Sequence, residues 1–420
     1  MIAGGCYVGS YCALKFDDIE MLSWKSEIPD ELVSLFQEPD RLKLPPLEGE
    51  DDDEDDSLER TTYAASRDVV LHRLSIMGFT ESAARRNYED WRTSEVAMFQ
   101  EWLQEGREWA APTLRAIRKL SYDRWKERVP KAIRTLDKKV YGPRSPSEKE
   151  MKRDGAWLFF EADDIRTSIR ALVDACPSVQ EVSLDISDLI WGGWLEEDEA
   201  VCTTRREPDS LLRPVLEPTV MMAEGTSDIR VLKLSLRALY PHLVDYFTFF
   251  DHEELSVEGG ASYLVKFLKA LGAARMPTRL VAIFDNDTIG LQAFRLAGAL
   301  RLPSNISVLR LPDVAIARDY PTVGPQGAHL VDINGKAGGI ELYLGRQNLL
   351  DGDGELMPVR WTGYVASVGS YQGALESKNQ VLRSFEREIS NISDPAIARA
   401  RYPELVEVWE MVFRSLASSH

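Results

Sequence analysis

Apolar and polar positions alternate through Tyr7-Val8-Gly9-Ser10-Tyr11-Cys12-Ala13-Leu14-Lys15-Phe16 and again around Met21-Leu22-Ser23-Trp24. Period two predicts a small β-hairpin element, assigned to residues 1–47. From Thr61 the period becomes helical, with Val69, Val70, Arg73 and Leu74 on one face. Gly78-Phe79-Thr80-Glu81 then supplies a break and a cap. Residues 83–91 and a long run over 95–140, with Trp102, Trp109, Leu114, Ile117, Leu120 and Trp125 at helix-like spacings, complete a helical domain over 61–140. Two prolines, Pro143 and Pro146, mark a linker over 141–155. Residues 156–185 predict a strand, a helix and a second strand, part of a bridging α/β segment over 156–213.

The second half alternates apolar runs with helical patterns. Residues 214–223 (PVLEPTVMMA) end in Glu224-Gly225-Thr226-Ser227-Asp228 and lead into a helix reaching Leu239. A strand over 246–251, a turn at Val257-Glu258-Gly259-Gly260 and a helix over 261–271 follow. A strand over 280–284 (LVAIF) ends in Asp285-Asn286-Asp287-Thr288-Ile289-Gly290, followed by a helix over 291–299 and a strand over 306–311. Right-handed crossovers between parallel strands put successive strand ends on one side, the edge where open α/β sheets bind ligands. Residues 332–343 form a Gly-rich stretch containing Lys336 and Glu341. Around Arg360-Trp361-Thr362-Gly363-Tyr364 and Tyr371-Gln372-Gly373-Ala374 the chain turns toward two helices, 375–389 and 395–415, so that 351–420 reads as a C-terminal strand and helices. Trp361 and Tyr371 read as packing residues, with base stacking the other reading.

Both strand ends deliver carboxylates. Like charges held close raise one another's pKa, and a hard divalent cation resolves the conflict. Oxygen-only ligands favour Mg²⁺ or Mn²⁺ over zinc. Asp285 and Asp287 point the same way in extended chain and can share an ion. Each residue also has a plainer reading: Asp-x-Asp as a capped loop, Asp228 as a first-turn helix acid, Glu341 as a surface acid, Lys336 as a solvated lysine.

Glu-Gly-x-x-Asp after one strand and Asp-x-Asp-x-x-Gly after a later one resemble the Toprim domain of topoisomerases, primases and the overcoming-lysogenisation-defect nucleases. The resemblance implies an α/β Toprim core over 214–350, a mostly parallel sheet flanked by helices. It implies Glu224 as general acid/base or metal ligand, Asp285 and Asp287 as the metal-binding pair, and Asp228 and Glu341 as further acids of the nuclease branch. Lys336 would be the catalytic lysine offsetting phosphate charge, and one or two Mg²⁺ or Mn²⁺ ions the cofactor. The opening Gly-Ser-Tyr and the passage from Arg73-Leu74 to Gly78-Phe79-Thr80 resemble the N-terminal region of HEPN/Toprim proteins of bacterial defence systems. Arg67 and His72 have the Arg-x4-His spacing of HEPN ribonucleases, against which stands an ordinary helix face.

Composition adjusts this reading in a few places. A formal charge of −18 over 420 residues is unfavourable for binding a polyanion, but the average hides an asymmetry. Residues 48–59 carry nine acids and no base, an acidic linker over 48–60, whereas 112–153 carries fourteen Lys and Arg against five acids. The second is either a phosphate-binding surface or a solvated helix. Four cysteines are too few and scattered for a disulfide framework or zinc site, and neither a membrane span nor a secretion signal is legible, so a cytoplasmic location is expected. The expectation is a Mg²⁺-dependent Toprim nuclease acting on DNA or RNA in anti-phage defence. Without a Walker motif, ATP-driven control would come from a partner such as an ATPase, or a phage trigger protein would release activity; homo-oligomerisation is also open. The alternatives are a non-catalytic or conditionally silent interaction module, a HEPN-type ribonuclease and a primase-like nucleotidyl transferase.

Overall fold

The computed structural model describes residues 10–45, 59–134, 157–206, 217–250 and 259–418. The chain divides into two compact units, Met1–Glu217 and Pro218–His420. All but the last residues of the acidic linker over 48–60, and the proline-marked linker over 141–155, lie outside the described residues. Among the described residues no helix is long and apolar enough to cross a membrane.

In the first unit, β1 (Tyr11–Phe16), β2 (Ile19–Lys25), β3 (Arg41–Leu44), β4 (Arg60–Ser66) and β5 (Glu181–Asp185) form one sheet in the order β2-β1-β5-β4-β3, antiparallel throughout. β1 and β2 are the hairpin read from the alternation. Residues 61–66 correct the helical reading. Thr61, Thr62 and Tyr63 are all buried, and β4 pairs on both edges, so a strand covered on both faces shows no alternation to read. The expected strand near residue 157 is instead an irregular buried segment, Trp157 to Phe160, whose Trp157 carbonyl accepts a hydrogen bond from Trp125 Nε1 at 2.8 Å.

Helices α1 (Asp30–Val33), α2 (Arg67–Ile76), α3 (Glu81–Gln104), α4 (Ala110–Arg118), α5 (Tyr122–Ile133), α6 (Ile165–Ala175), α7 (Ser187–Trp191) and α8 (Val201–Arg206) accompany this sheet. Thr80 Oγ1 accepts from Ala83 N, the cap read from sequence. The long run from residue 95 is interrupted after α3, where Gly106 adopts φ +83°. Tyr88 anchors the helical layer, its ring within 5.5 Å of those of Tyr122, Trp125, Trp91 and Phe160.

In the second unit, β6 (Thr219–Ala223), β7 (Phe247–Phe249), β8 (Leu280–Phe284) and β10 (Ile306–Arg310) form a parallel sheet in the order β10-β8-β6-β7. β9 (Asn286–Asp287) pairs with β13 (Ala337–Gly338), while β11 (Tyr320–Gly324), β12 (Gly327–Val331), β14 (Val359–Val365) and β15 (Ser370–Leu375) form a second four-stranded sheet. Helices α9 (Thr226–Leu239), α10 (Ala261–Ala273) and α11 (Thr288–Gly298) follow β6, β7 and β9, and α12 (Lys378–Ile389), α13 (Pro395–Arg401) and α14 (Pro403–Ser418) end the chain. The result is an α/β arrangement of one parallel sheet with helices and further antiparallel strands. Phe284 and Ala282 of β8 pack with Leu264 and Leu268 of α10 and Ala293 and Ala297 of α11 in one apolar cluster. The single helix expected over 395–415 is split at Tyr402, because Pro403 has no N–H to continue the ladder and drives its predecessor out of the α region.

Arg73, fully buried in the first unit, donates to the Leu35 carbonyl and Gln37 Oε1 and pairs with Asp40 Oδ2 at 2.5 Å. Removing one partner of such a pair strands the other charge. Arg73→Ala is expected to cost the first unit about 3–5 kcal/mol, measured by chemical denaturation; a cost below about 1 kcal/mol, the range of exposed pairs, would show Asp40 to be solvated.

Candidate functional site

The site is built by the parallel pairing of β6 with β8, in which Ala223 stands opposite Ile283. Glu224 and Asp285 therefore leave neighbouring strands at the same edge, and Glu224 Oε1 accepts a hydrogen bond from Asp285 N at 2.9 Å. Space explains the glycines around them. A Cβ on Gly290 would lie 2.4 Å from the Asp285 carbonyl oxygen and 3.0 Å from Glu224 Oε1, so no side chain fits there. Gly260 N donates to the Glu224 carbonyl at 2.6 Å, with Gly260 at φ +107°, where glycine is favoured.

The other acids are held by the chain's own donors. Asp228 Oδ2 accepts from Gly225 N at 2.8 Å, closing the first turn of α9. Asp287 caps α11, its Oδ1 accepting from Gly290 N at 2.7 Å, while its Oδ2 accepts from Gln372 Nε2 at 2.5 Å. Glu341 is buried and pairs with Lys378 Nζ at 3.2 Å.

The five acids act on one another. Burial, then the charges of Asp228, Glu224, Asp287 and Glu341, push Asp285 well above the usual carboxylate range. Burial and the neighbouring Asp287 and Asp228 carry Glu224 up to about 7, and burial with Glu341 carries Asp228 to about 7. Burial alone would lower the Lys378 ammonium, but Glu341 and Asp285 hold it above its ordinary value. This donor set suits a hard divalent cation by its chemistry: oxygens only, mutually repelling, and poorly solvated. Among the described residues, no three His, Cys, Asp or Glu side chains converge as a ready group for a metal. The hydrogen bonds to these acids engage one oxygen each of Glu224 and Asp228 and both of Asp287.

The structure thus brings Glu224, Asp228, Asp285, Asp287 and Glu341 into one electrostatic cluster. Lys336 lies beside them along the chain, its residue bridged to Asp287, but its ammonium donates to the Asp332 carbonyl at 2.8 Å. Lys378 and Gln372 are the residues sequence reading missed. The available signal for Lys378 was a cation in the first turn of a helix, where the macrodipole disfavours it.

Elsewhere, Arg67 Nε donates to the Val173 carbonyl and its guanidinium pairs with Asp68, while burial lowers His72 to about 4, leaving it neutral at physiological pH. In the basic segment, Arg115, Arg118 and Lys119 are exposed, whereas Lys126 is paired with Glu81 at 2.7 Å; residues beyond 134 lie outside the described set.

A folded state that raises carboxyl pKa values is favoured by protonation. Below pH about 4.5 the folded and unfolded forms are both protonated, and as pH rises toward about 7 only the unfolded form gains charge freely. The melting temperature of metal-free protein is therefore expected to fall over that window, with a smaller fall in Glu224→Gln and recovery on adding Mg²⁺ at neutral pH. Matching pH profiles in both proteins, unmoved by Mg²⁺, would contradict the clustered charge.

Comparison with known proteins bears on the first unit. No curated protein and no solved structure matches the chain. Residues 8–207 match the family model described as HEPN/Toprim N-terminal domain 1, a span that ends before the second unit and supports the chain's being of the HEPN/Toprim-associated type.

Proposed function

We propose that this protein is a Mg²⁺- or Mn²⁺-dependent nuclease of bacterial anti-phage defence, with a Toprim-like catalytic unit in its second half. The observation that supports it is the adjacency of β6 and β8, which sets Glu224 and Asp285 side by side within a cluster of five buried or half-buried acids and one lysine. Bound at these oxygens, a divalent ion supplies Lewis-acid polarisation of a phosphoryl oxygen and a more acidic water. Glu224, Asp285 and Asp287 would hold it, with Asp228 and Glu341 available to a second ion.

The chain's own groups have distinct tasks. Glu224, placed at the strand end beside Asp285, is suited to hold the ion or, where it stays free of it, to exchange a proton with an attacking water or a departing oxygen. Lys378 offsets the acids through Glu341 and offers a fixed positive charge to the phosphate oxygens. Gln372 holds Asp287 in place through its amide. The HEPN/Toprim N-terminal match supports the defence setting. A conditionally silent enzyme, awaiting a partner, is the second reading. It is favoured by the acids' hydrogen bonds to the chain's own backbone amides and Gln372, and by the absence of a ready metal-binding group among the described residues.

The test is incubation of purified protein with supercoiled DNA, single-stranded DNA and transfer RNA, in Mg²⁺, Mn²⁺ or chelator. Glu224→Gln and Asp285→Asn are each expected to lower metal-dependent cleavage by about 10²–10⁴-fold. Lys378→Met should lose more activity than Lys336→Met. Wild-type cleavage by both acid variants would place the chemistry elsewhere, with His72 next to be tested.

A further inference from the structure

The strands β14 and β15 carry three aromatic rings that the acid cluster does not use. Trp361 lies opposite Gly373 and Tyr364 opposite Tyr371, with Thr362 bulged out between the two pairs. The extra residue resets the two-residue alternation, so that Trp361, Tyr364 and Tyr371 share one face. The Tyr371 ring lies 5.1 Å from Tyr364 and 6.3 Å from Trp361. Tyr364 and Tyr371 are each 58% exposed, for Tyr371 contrary to the packing role read from sequence.

The strand that carries Tyr371 abuts the loop that carries Asp287, and Gln372, which alternates with Tyr371, reaches that loop from the opposite face. Gln372, next to Tyr371, donates to Asp287 and accepts from the N–H of Ile289, itself exposed. Thr288 Oγ1 donates to the Tyr371 carbonyl at 2.7 Å, and Gly373 N donates to the Lys336 carbonyl at 3.0 Å. Tyr371 is thus fixed through its backbone to the loop that carries Asp287, one residue away from its Gln372 clamp.

We infer that the β14–β15 aromatic face is a stacking platform for the bases of single-stranded nucleic acid, which it delivers to the acid cluster; the inference rests on the nuclease reading for what happens there. Aromatic faces take any base, because every base has a π-face. In a duplex those faces are already stacked on one another, so exposed rings meet bases only where the strand is open. Charge works against any nucleic acid here, so stacking has to supply the affinity. In a chain of formal charge −18, with acids at the site itself, counterion release cannot supply most of the affinity, whereas stacking needs no net positive charge. Lys336, bridged to Asp287 and in no ion pair among the described residues, is placed to meet a phosphate of the stacked strand.

The test is fluorescence anisotropy of labelled oligo(dT), oligo(U) and a duplex with the full-length protein in chelator, so that binding is read without cleavage. Single strands are expected to bind more tightly than duplex, with a shallow salt dependence. Tyr364→Leu and Tyr371→Leu should each weaken single-strand binding by about ten-fold, while Tyr371→Phe, which keeps the ring, binds as wild type. The two oligonucleotides show whether the open strand is DNA or RNA. Leucine variants that bind single strands like wild type, or duplex bound as tightly as single strands, would overturn the platform. Cleavage by wild type with unaffected leucine variants would leave the nuclease standing without the platform, and ring-dependent binding without cleavage in any metal would do the reverse.

Discussion

Repulsion among buried carboxylates is the constraint around which the second unit is arranged. Two parallel strands that pair side by side must release their ends at the same edge, and here both ends carry acids. Such an arrangement persists only if each charge is tied down or neutralised. The chain ties them down with backbone amides from Gly225, Asp285 and Gly290, with the Gln372 amide and with the Lys378 ammonium. The remaining tension shows in the upward displacement of Glu224, Asp228 and Asp285. Mutually repelling, buried acids of this kind are the feature on which the proposed nuclease reading rests.

Around that edge, local geometry is set by close approach. Gly290 leaves room for Glu224 and the Asp285 carbonyl, and Gly260 reaches the Glu224 carbonyl from the loop before α10. These contacts join β6, β8, α10 and α11 at one point, directly above the apolar cluster of Phe284, Leu264 and Ala293. Positioning of the acids is therefore tied by close contacts to strands and helices that share one apolar cluster.

Much of this was legible in the sequence because it is local. The apolar run 280–284 became β8, the helical pattern after Glu224 became α9, and the acids at both strand ends were visible as punctuation between strand and helix. Elements whose state is set by distant partners were not. β4 is covered on both faces by the sheet and core of its unit, so Thr61 to Ser66 carried no period. Trp157 to Phe160 are as apolar as a strand, yet they fill space beneath Trp125. Lys378 escaped notice because it is separated from Glu224 by more than 150 residues and meets the cluster only through the packing of α12. Tyr371 was misjudged because composition cannot distinguish a ring that fills a core from one left in solvent.

The placement of Lys378 has a consequence for how the protein is made. Translation delivers Glu224, Asp228, Asp285, Asp287 and Glu341 before it delivers their covalently attached counter-cation, which opens the helix after β15. A nascent chain halted between residues 341 and 378 holds all five acids and Lys336 but lacks the ammonium that pairs with Glu341. The acidic edge therefore reaches its final electrostatic state late in synthesis, when the strand bearing Tyr371 and Gln372 has also emerged. In a ribosome-bound chain the order of the sequence is itself a form of timing, and the residue that completes this cluster is among the last to arrive.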